Sequence, residues 1–381
     1  MKKRIICLAL AGAMLLVFLL PAKAADLDLS APSAILIEAS TGQVLYESNA
    51  DEKLRPASVT KIMTLLLVME ALDDGRIGWN DTVTASAAAA GKGGSQIYLE
   101  ENEQLSMDEM LKSVVVSSAN DCACALAEHI AGSEAGFVEM MNERAQALGM
   151  TNTHFVNCTG LDDEPNASEH LTTARDIAIM SRELLSHDAI KRYTTIWMDT
   201  VRGGQFGLSN TNKLVRFYDG TTGLKTGYTS SAGYCLSASA ERDGMELIAV
   251  VLHCASSADR FESAKAMLNY GFSNYALVEP DVDGQIQTIP VRLGKADTVT
   301  PVLQSSTPIL LSKSQAAKAE IRLETDESVT APVLQGQQLG TVRITAEGQT
   351  LAEIPLICPQ EIPALTFRDI WGRILKAMCM G

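Results

Sequence analysis

No two cysteines of this chain are spaced Cys-x-x-Cys, and its five histidines form no cluster at ligand spacing. A bound metal is therefore not expected. Positive charge is also in short supply. Lys and Arg number 31 against 46 Asp and Glu, a formal net charge of −15, and so acidic a chain makes a poor nucleic-acid binder. The one long apolar run, Ile5 to Leu20, is short for a membrane span. It follows Lys2, Lys3 and Arg4 and precedes the small-residue site Ala22-Lys23-Ala24, the pattern of a cleavable signal peptide over residues 1–24. An uncleaved N-terminal anchor is the alternative, and Cys7 within the run has no lipoprotein-type cleavage site around it. Removing the segment takes four basic residues and no acidic ones, which moves the formal charge from −15 to −19.

Seven cysteines outlast that processing: Cys122, Cys124, Cys158, Cys235, Cys254, Cys358 and Cys379. An odd number cannot pair completely within one chain, and buried thiols are the default reading. Cys235 and Cys254 are the one plausible pair, because they flank a turn around Asp243-Gly244. A two-residue turn at that dipeptide sets them diagonally, and a turn centred one residue later sets them face to face. The sequence leaves the register open.

What the chain does have is three short strings in one order: Ser58-Val59-Thr60-Lys61, Ser118-Ala119-Asn120 and Lys225-Thr226-Gly227. Each supplies hydroxyl, amine or amide groups of the kind acyl transfer uses. Any one alone is weak; the order and wide separation make the case. Pro56 biases Ala57 away from helix, and then Ile62, Met63, Leu65, Leu66, Val68, Met69 and Leu72 recur at helical spacing up to Gly75. Ser58 is thus expected in the first turn of a buried helix, with Lys61 one turn on and on the same face. Burial and the positive end of the helix dipole both disfavour a charged Lys61, so a neutral amine is available to take the Ser58 proton. An activated serine nucleophile results. The bland alternative makes Ser58 an N-cap and Lys61 a solvated first-turn residue.

Around these motifs the chain alternates elements. Ser33 to Glu38 and Gln43 to Glu47 read as a hairpin, Asp81 to Leu99 as a loop bordering a cleft, and Ser106 with Glu109 as a capping box. Helices are expected at Asn120 to Ala131, Ala135 to Leu148, Thr173 to Leu185 and Asp259 to Phe272, and strands at Gly223 to Thr229, Gly233 to Ala240 and Met245 to Cys254.

The three motifs together resemble the SxxK, SxN and KTG set of penicillin-binding proteins and serine β-lactamases. The likeness sharpens to the low-molecular-mass D-alanyl-D-alanine carboxypeptidases. Pro56 to Thr64 (Pro-Ala-Ser-Val-Thr-Lys-Ile-Met-Thr), Ser118-Ala119-Asn120-Asp121, Asn157 to Asp162, Thr172 to Ala178 and Lys225-Thr226-Gly227-Tyr228-Thr229 all resemble that family's segments, with Tyr228 where some members carry His. It covers residues 26–275 in detail. The fold it implies is α+β, a penicillin-recognising domain with an antiparallel sheet packed by helices and the active site between sheet edge and helical lobe.

The resemblance also implies roles. Ser58 is the nucleophile, Lys61 the general base and Ser118 the relay of a proton to the departing amine. Asn120 would hydrogen-bond Lys61 and the substrate amide. The N–H groups of Ser58 and Tyr228 would form the oxyanion hole, and Gly227 would leave room for substrate. Lys225 would supply positive potential beside these groups, Thr226 and Thr229 would donate to the substrate's terminal carboxylate and, by the loosest match, Arg260 would support this carboxylate pocket; a solvated helix arginine is the alternative for Arg260. The implied substrates are peptidoglycan stem peptides ending in D-Ala-D-Ala, with β-lactams as inhibitors and no cofactor. A serine β-lactamase is one alternative, although Glu164-Pro165-Asn166 lacks the deacylating pattern of class A. A transpeptidase or endopeptidase would use the same residues with a different acceptor. A non-catalytic penicillin-binding sensor would be expected to have lost a motif.

Residues 280–360 are rich in Val, Ile, Thr and Gln in short alternating runs and read as a small β-sandwich, a spacer or interaction module. Over residues 362–381, Phe367, Ile370, Trp371, Ile374, Leu375 and Met378 form one helical stripe opposite Arg368, Arg373 and Lys376. That is the pattern of a helix lying in a membrane interface, which places the exported enzyme peripherally on the outer face of the cytoplasmic membrane. A helix docked on the sandwich is the alternative.

Overall fold

The structure is a computed structural model that describes residues 27–163, 166–282 and 284–379. The signal-peptide reading of residues 1–24 and the Glu164-Pro165 dipeptide lie outside the described residues. The chain divides into two compact units, one ending at Tyr275 and the other beginning at Ala276.

The first unit is α+β. Its five-stranded antiparallel sheet runs in the order Val44–Ser48, Ser33–Glu38, Met245–Cys254, Gly233–Arg242, Thr221–Thr229. Ser33–Glu38 is buried at every position, as a strand covered on both faces must be. With side chains alternating across the sheet, Ile35, Ile37, Ile248 and Val250 join the large apolar cluster of the helical lobe. On the other face Leu36 and Leu247 lie against Gly271 of the Ser257–Asn274 helix, where a Cβ would come within 2.4 Å of the Leu247 side chain. The last strand, Thr221–Thr229, is a sheet edge and carries the third motif.

Helix Lys61–Asp73 is buried around nearly its whole circumference. An all-round apolar helix has to be central, and it packs on helices Asn120–Ala131, Glu134–Ala147 and Ala174–Leu185. Met107–Val116 begins at the expected Ser106/Glu109 capping box. It ends at Ser117, and after Ser118 and Ala119 the Asn120–Ala131 helix starts. Ser118 and Asn120 are therefore held at a junction of two helices.

Two expectations need correction. Asp81 to Leu99 is not loop throughout: Thr82–Thr84 pairs with Gln104–Ser106, and Ser86 caps a short helix at Ala87–Ala90. Alternating Thr-Val-Thr and an N-cap serine were the overlooked signals. Cys235 and Cys254 do not pair; both are buried free thiols. Asp243-Gly244 does form a two-residue turn, with both residues at positive φ and Arg242 opposite Met245. A register shift further along then sets Tyr234, not Cys235, opposite Cys254.

The second unit is mainly β. Val302–Leu303, Gln349–Ile357, Gln338–Ala346 and Ala319–Thr325 form one sheet, and Thr298–Val299, Ile289–Arg292 and Val329–Thr330 another. Its apolar side chains gather in two clusters, one around Val342, Ile344, Ile354 and Leu356 and one around Ile289, Val333, Leu339 and Ile362. Ile362, expected to open the terminal helix, is a buried residue bridged to Val333. The helix itself runs Phe367–Cys379, starting where Thr366 and Asp369 exchange capping hydrogen bonds. Its apolar stripe is uncovered: Phe367 is 74% exposed and Met378 76%. Among the described residues no helix is long and apolar enough to cross a membrane.

Candidate active site

Ser58 lies in a 3-10 turn, Ala57–Thr60, that runs directly into helix Lys61–Asp73. Lys61 is wholly buried, and its Nζ sits 2.9 Å from Ser58 Oγ and donates to the Thr159 carbonyl at 2.9 Å. Burial pushes its pKa down to about 7, because an ammonium loses its hydration there. An amine that is partly neutral near pH 7, at hydrogen-bond distance from a half-buried hydroxyl, can accept that hydroxyl's proton.

The Thr159 carbonyl was not among the residues singled out by sequence. Asn157 fixes it: its Oδ1 accepts from the N–H groups of Thr159 at 3.2 Å and Gly160 at 2.7 Å, while its Nδ2 donates to Leu161 O at 2.9 Å. The Asn157 to Asp162 segment was recognisable by resemblance, but its role as the lysine's anchor required tertiary contact.

Ser118 has a left-handed φ of 63°, is buried, and its Oγ has no hydrogen-bond partner. Asn120 donates through Nδ2 to Gly93 O at 2.7 Å, and its Oδ1 is likewise without a partner. The expected Asn120 to Lys61 hydrogen bond is not formed: Lys61 Nζ contacts Ser58 Oγ and Thr159 O instead. Asp121 holds the neighbouring loop in place, accepting from Ile97 N–H at 3.1 Å and Leu99 N–H at 3.0 Å.

On the sheet edge Lys225 is buried and donates to Thr226 O at 2.9 Å. Burial first, then the positive charges of Lys61 and Arg260, hold its pKa well below the usual lysine value. Thr226 Oγ1 donates to Thr211 Oγ1 at 2.7 Å. Gly227 is needed for close approach: a Cβ there would fall 2.6 Å from Pro56 O and 3.0 Å from Ser58 N. The same contact brings the edge strand against the nucleophile's backbone N–H. Tyr228 is exposed and its ring lies 4.3 Å from that of Tyr234. Thr229 Oγ1 accepts from Ala232 N–H at 3.0 Å.

Arg260 is buried, not solvated, and donates through one terminal nitrogen to Gly227 O at 3.0 Å and Cys235 O at 3.3 Å. Its Nε has no partner. Among the described residues, three buried side-chain N and O atoms lack a hydrogen-bond partner: Ser118 Oγ, Asn120 Oδ1 and Arg260 Nε. All three belong to residues named from the sequence. Unsatisfied buried polar atoms are costly and call for an explanation, and a polar ligand entering here supplies one.

A profile of D-alanyl-D-alanine carboxypeptidases matches residues 21–256. The D-alanyl-D-alanine carboxypeptidase DacF of Bacillus subtilis (strain 168) is 40% identical over 379 residues, which cover 96% of each protein. The chain belongs to the D-alanyl-D-alanine carboxypeptidase family. It is accordingly a serine peptidase of the penicillin-binding-protein type, a hydrolase. Residues 275–364 match the C-terminal domain of penicillin-binding protein 5, the segment that makes up most of the mainly β second unit. Among solved structures, penicillin binding protein 5 from Haemophilus influenzae superposes with a TM-score of 0.75 at 30% identity, covering 89% of this chain and 99% of that one. Penicillin-binding protein D2 from Listeria monocytogenes, in its ampicillin-bound form, matches at a TM-score of 0.60 and 32% identity, over 65% of this carboxypeptidase and 100% of that chain.

Proposed function

We propose that this carboxypeptidase removes the terminal D-alanine from peptidoglycan stem peptides through an acyl-enzyme on Ser58, and that penicillin inhibits it by acylating the same oxygen. The observation that carries the reading is the 2.9 Å contact between Lys61 Nζ and Ser58 Oγ, made by a buried lysine. Neutral Lys61 takes the Ser58 proton as Oγ attacks the carbonyl of the penultimate D-alanine. The oxyanion meets the N–H groups of Ser58 and Tyr228, which the missing side chain of Gly227 brings close. Ser118 Oγ, which is committed to no other protein group, passes a proton to the leaving amine. Asn120 Oδ1 accepts from the substrate's amide N–H. Lys225, Thr226, Thr229 and Arg260 receive the terminal carboxylate, and water then hydrolyses the ester. No metal or organic cofactor enters these steps. Benzylpenicillin followed by peptide mapping tests the assignment: a penicilloyl adduct is expected on the peptide containing Ser58 and disappears in Ser58→Ala, whereas an adduct persisting on another serine contradicts it.

The protein acts outside the cytoplasmic membrane in this reading, exported by residues 1–24 and held at the surface by the terminal helix. Support comes from the uncovered stripe, with Trp371 50% and Leu375 55% exposed. Arg373 is not free for lipid, since it pairs with Asp297 at 2.8 Å. That pair ties the helix to its own unit and leaves Arg368 and Lys376 as exposed cations without such an ion pair among the described residues, available to anionic headgroups.

A further inference from the structure

Behind the nucleophile helix the fold assembles a group of side chains that the catalytic reading does not use. Cys124 lies on helix Asn120–Ala131, Glu134 is the first residue of helix Glu134–Ala147, and Cys158 stands in the segment that anchors Lys61. Their ligand atoms all lie within 4.8 Å of one another. Cys158 Sγ donates to Glu134 Oε1 at 3.2 Å, and Cys124 Sγ approaches Glu134 Oε2 at 3.9 Å. The cluster is hidden in the chain order, because Cys124 and Glu134 are 10 positions apart and Glu134 and Cys158 are 24 apart, and no short ligand spacing results.

We propose that Cys124, Cys158 and Glu134 form a binding site for a thiophilic divalent cation, with zinc the fitting ion. Zinc takes thiolate sulfur at about 2.3 Å and carboxylate oxygen at about 2.0–2.2 Å, so a tetrahedral site has sulfur-to-oxygen edges of about 3.5 Å. The observed separations, 3.2 Å from Cys158 Sγ to Oε1 and 3.9 Å from Cys124 Sγ to Oε2, involve the two oxygens of one carboxylate and lie on either side of that edge. One ligand atom from each residue already sits within 4.8 Å of the other two.

The surroundings fit in two further ways. The Cys158 N–H donates to Glu134 Oε1 at 3.3 Å, and Lys92 Nζ lies 2.6 Å from Oε2, so a backbone N–H and a lysine that is not a ligand orient the carboxylate. Two thiolates and a carboxylate carry three negative charges, which a dication and Lys92 together neutralise. Binding releases the two thiol protons to solvent and involves no change of oxidation state. Both sulfurs are buried, but Glu134 and Lys92 keep 22% and 14% of their side-chain surface exposed. That edge is the entry route and leaves the fourth position to water.

The site's position gives it a consequence for the enzyme. The Cys158 carbonyl accepts from Thr64 Oγ1 at 2.6 Å, and the next carbonyl, that of Thr159, holds Lys61. A metal on Cys158 therefore fastens the segment against the nucleophile helix. It acts as a staple for the base without touching substrate.

Cobalt and zinc titration of the reduced full-length protein tests this. Cobalt(II) is expected to bind in one equivalent, to give a near-ultraviolet thiolate-to-metal charge-transfer band, and to be displaced by zinc with loss of the band. Cys124→Ser and Cys158→Ser should each lose at least half the band and weaken zinc binding at least tenfold, whereas Cys122→Ser, a buried cysteine outside the cluster, should keep both. Circular dichroism of each variant confirms that it is folded. Should Cys124→Ser fail to fold, Glu134→Gln replaces it, with the same tenfold weakening of zinc binding expected. No charge-transfer band in the reduced wild-type protein overturns the proposal, as does a band of undiminished intensity in folded Cys158→Ser.

Discussion

Gly160 meets Ala57 so closely that a Cβ on it would lie 1.8 Å from the Ala57 carbonyl oxygen. The residue also has a φ of 83°, so two separate constraints demand glycine there. This contact presses the Asn157 to Gly160 segment, with the carbonyl that holds Lys61, against the turn that carries Ser58. Gly160→Ala is therefore expected to lower stability by about 1–3 kcal/mol and to slow penicillin acylation by more than the folded fraction alone explains. Urea unfolding and acylation kinetics on the same preparation check both parts, and full acylation speed in the folded variant would separate the segment from the chemistry.

Lys61 titrates at about 7 because burial removes its hydration. Its neutral form dominates above that value, and the charged form below it cannot accept a proton. The acylation rate should thus rise with pH through about 7 and fall roughly tenfold per unit on the acid side, as expected for a single essential base. Lys61→Arg keeps the positive charge but cannot deprotonate. Its acylation rate should drop at least about a hundredfold, measured by stopped-flow with a chromogenic β-lactam. A variant nearly as fast as wild type would reduce Lys61 to an electrostatic role. Lys225→Arg should show a milder loss, because on the proposed reading Lys225 is not the proton acceptor and arginine keeps N–H donors and a positive charge at its position.

The chain has no matched glutamate to activate water against a penicilloyl ester. Bound penicillin should accordingly persist through many turnover times of the peptide substrate. Mass spectrometry after a chase shows whether the adduct remains, and rapid repeated hydrolysis would favour a β-lactamase.

A chain ending at Thr366 keeps Ile362 in its apolar cluster and removes only the terminal helix. It should lose binding to vesicles containing anionic lipid and retain activity on small peptides, since every catalytic residue named precedes Tyr275. High salt should weaken the full chain's binding, given about 1 kcal/mol for each cation near such a surface. Equal vesicle binding by the two chains would make the helix a structural element of its unit.

Much of the site could be read from the chain because its chemistry is local. The Ser58 to Lys61 spacing, the buried apolar repeat behind it and the Ser106 capping box are all written within one or two helical turns. Strand Met245–Cys254 and helix Asn120–Ala131 were placed to the residue for the same reason, with strong periodicity and clear ends. What escaped was set by distant contacts. The Thr159 carbonyl becomes a partner of Lys61 only through a contact across a sequence separation of 98, and the Cys235/Cys254 register turned on an irregularity that no composition reveals. Arg260 shows the limit from the other side. Its motif match was the loosest, yet its guanidinium is buried and bonded to the carbonyl of Gly227.

Release of D-alanine from a peptide ending in D-Ala-D-Ala tests the central claim most directly. The wild-type enzyme should release it, benzylpenicillin should abolish the release in step with covalent labelling, and Ser58→Ala should release none. D-alanine release by folded Ser58→Ala at more than a thousandth of the wild-type rate would contradict the account.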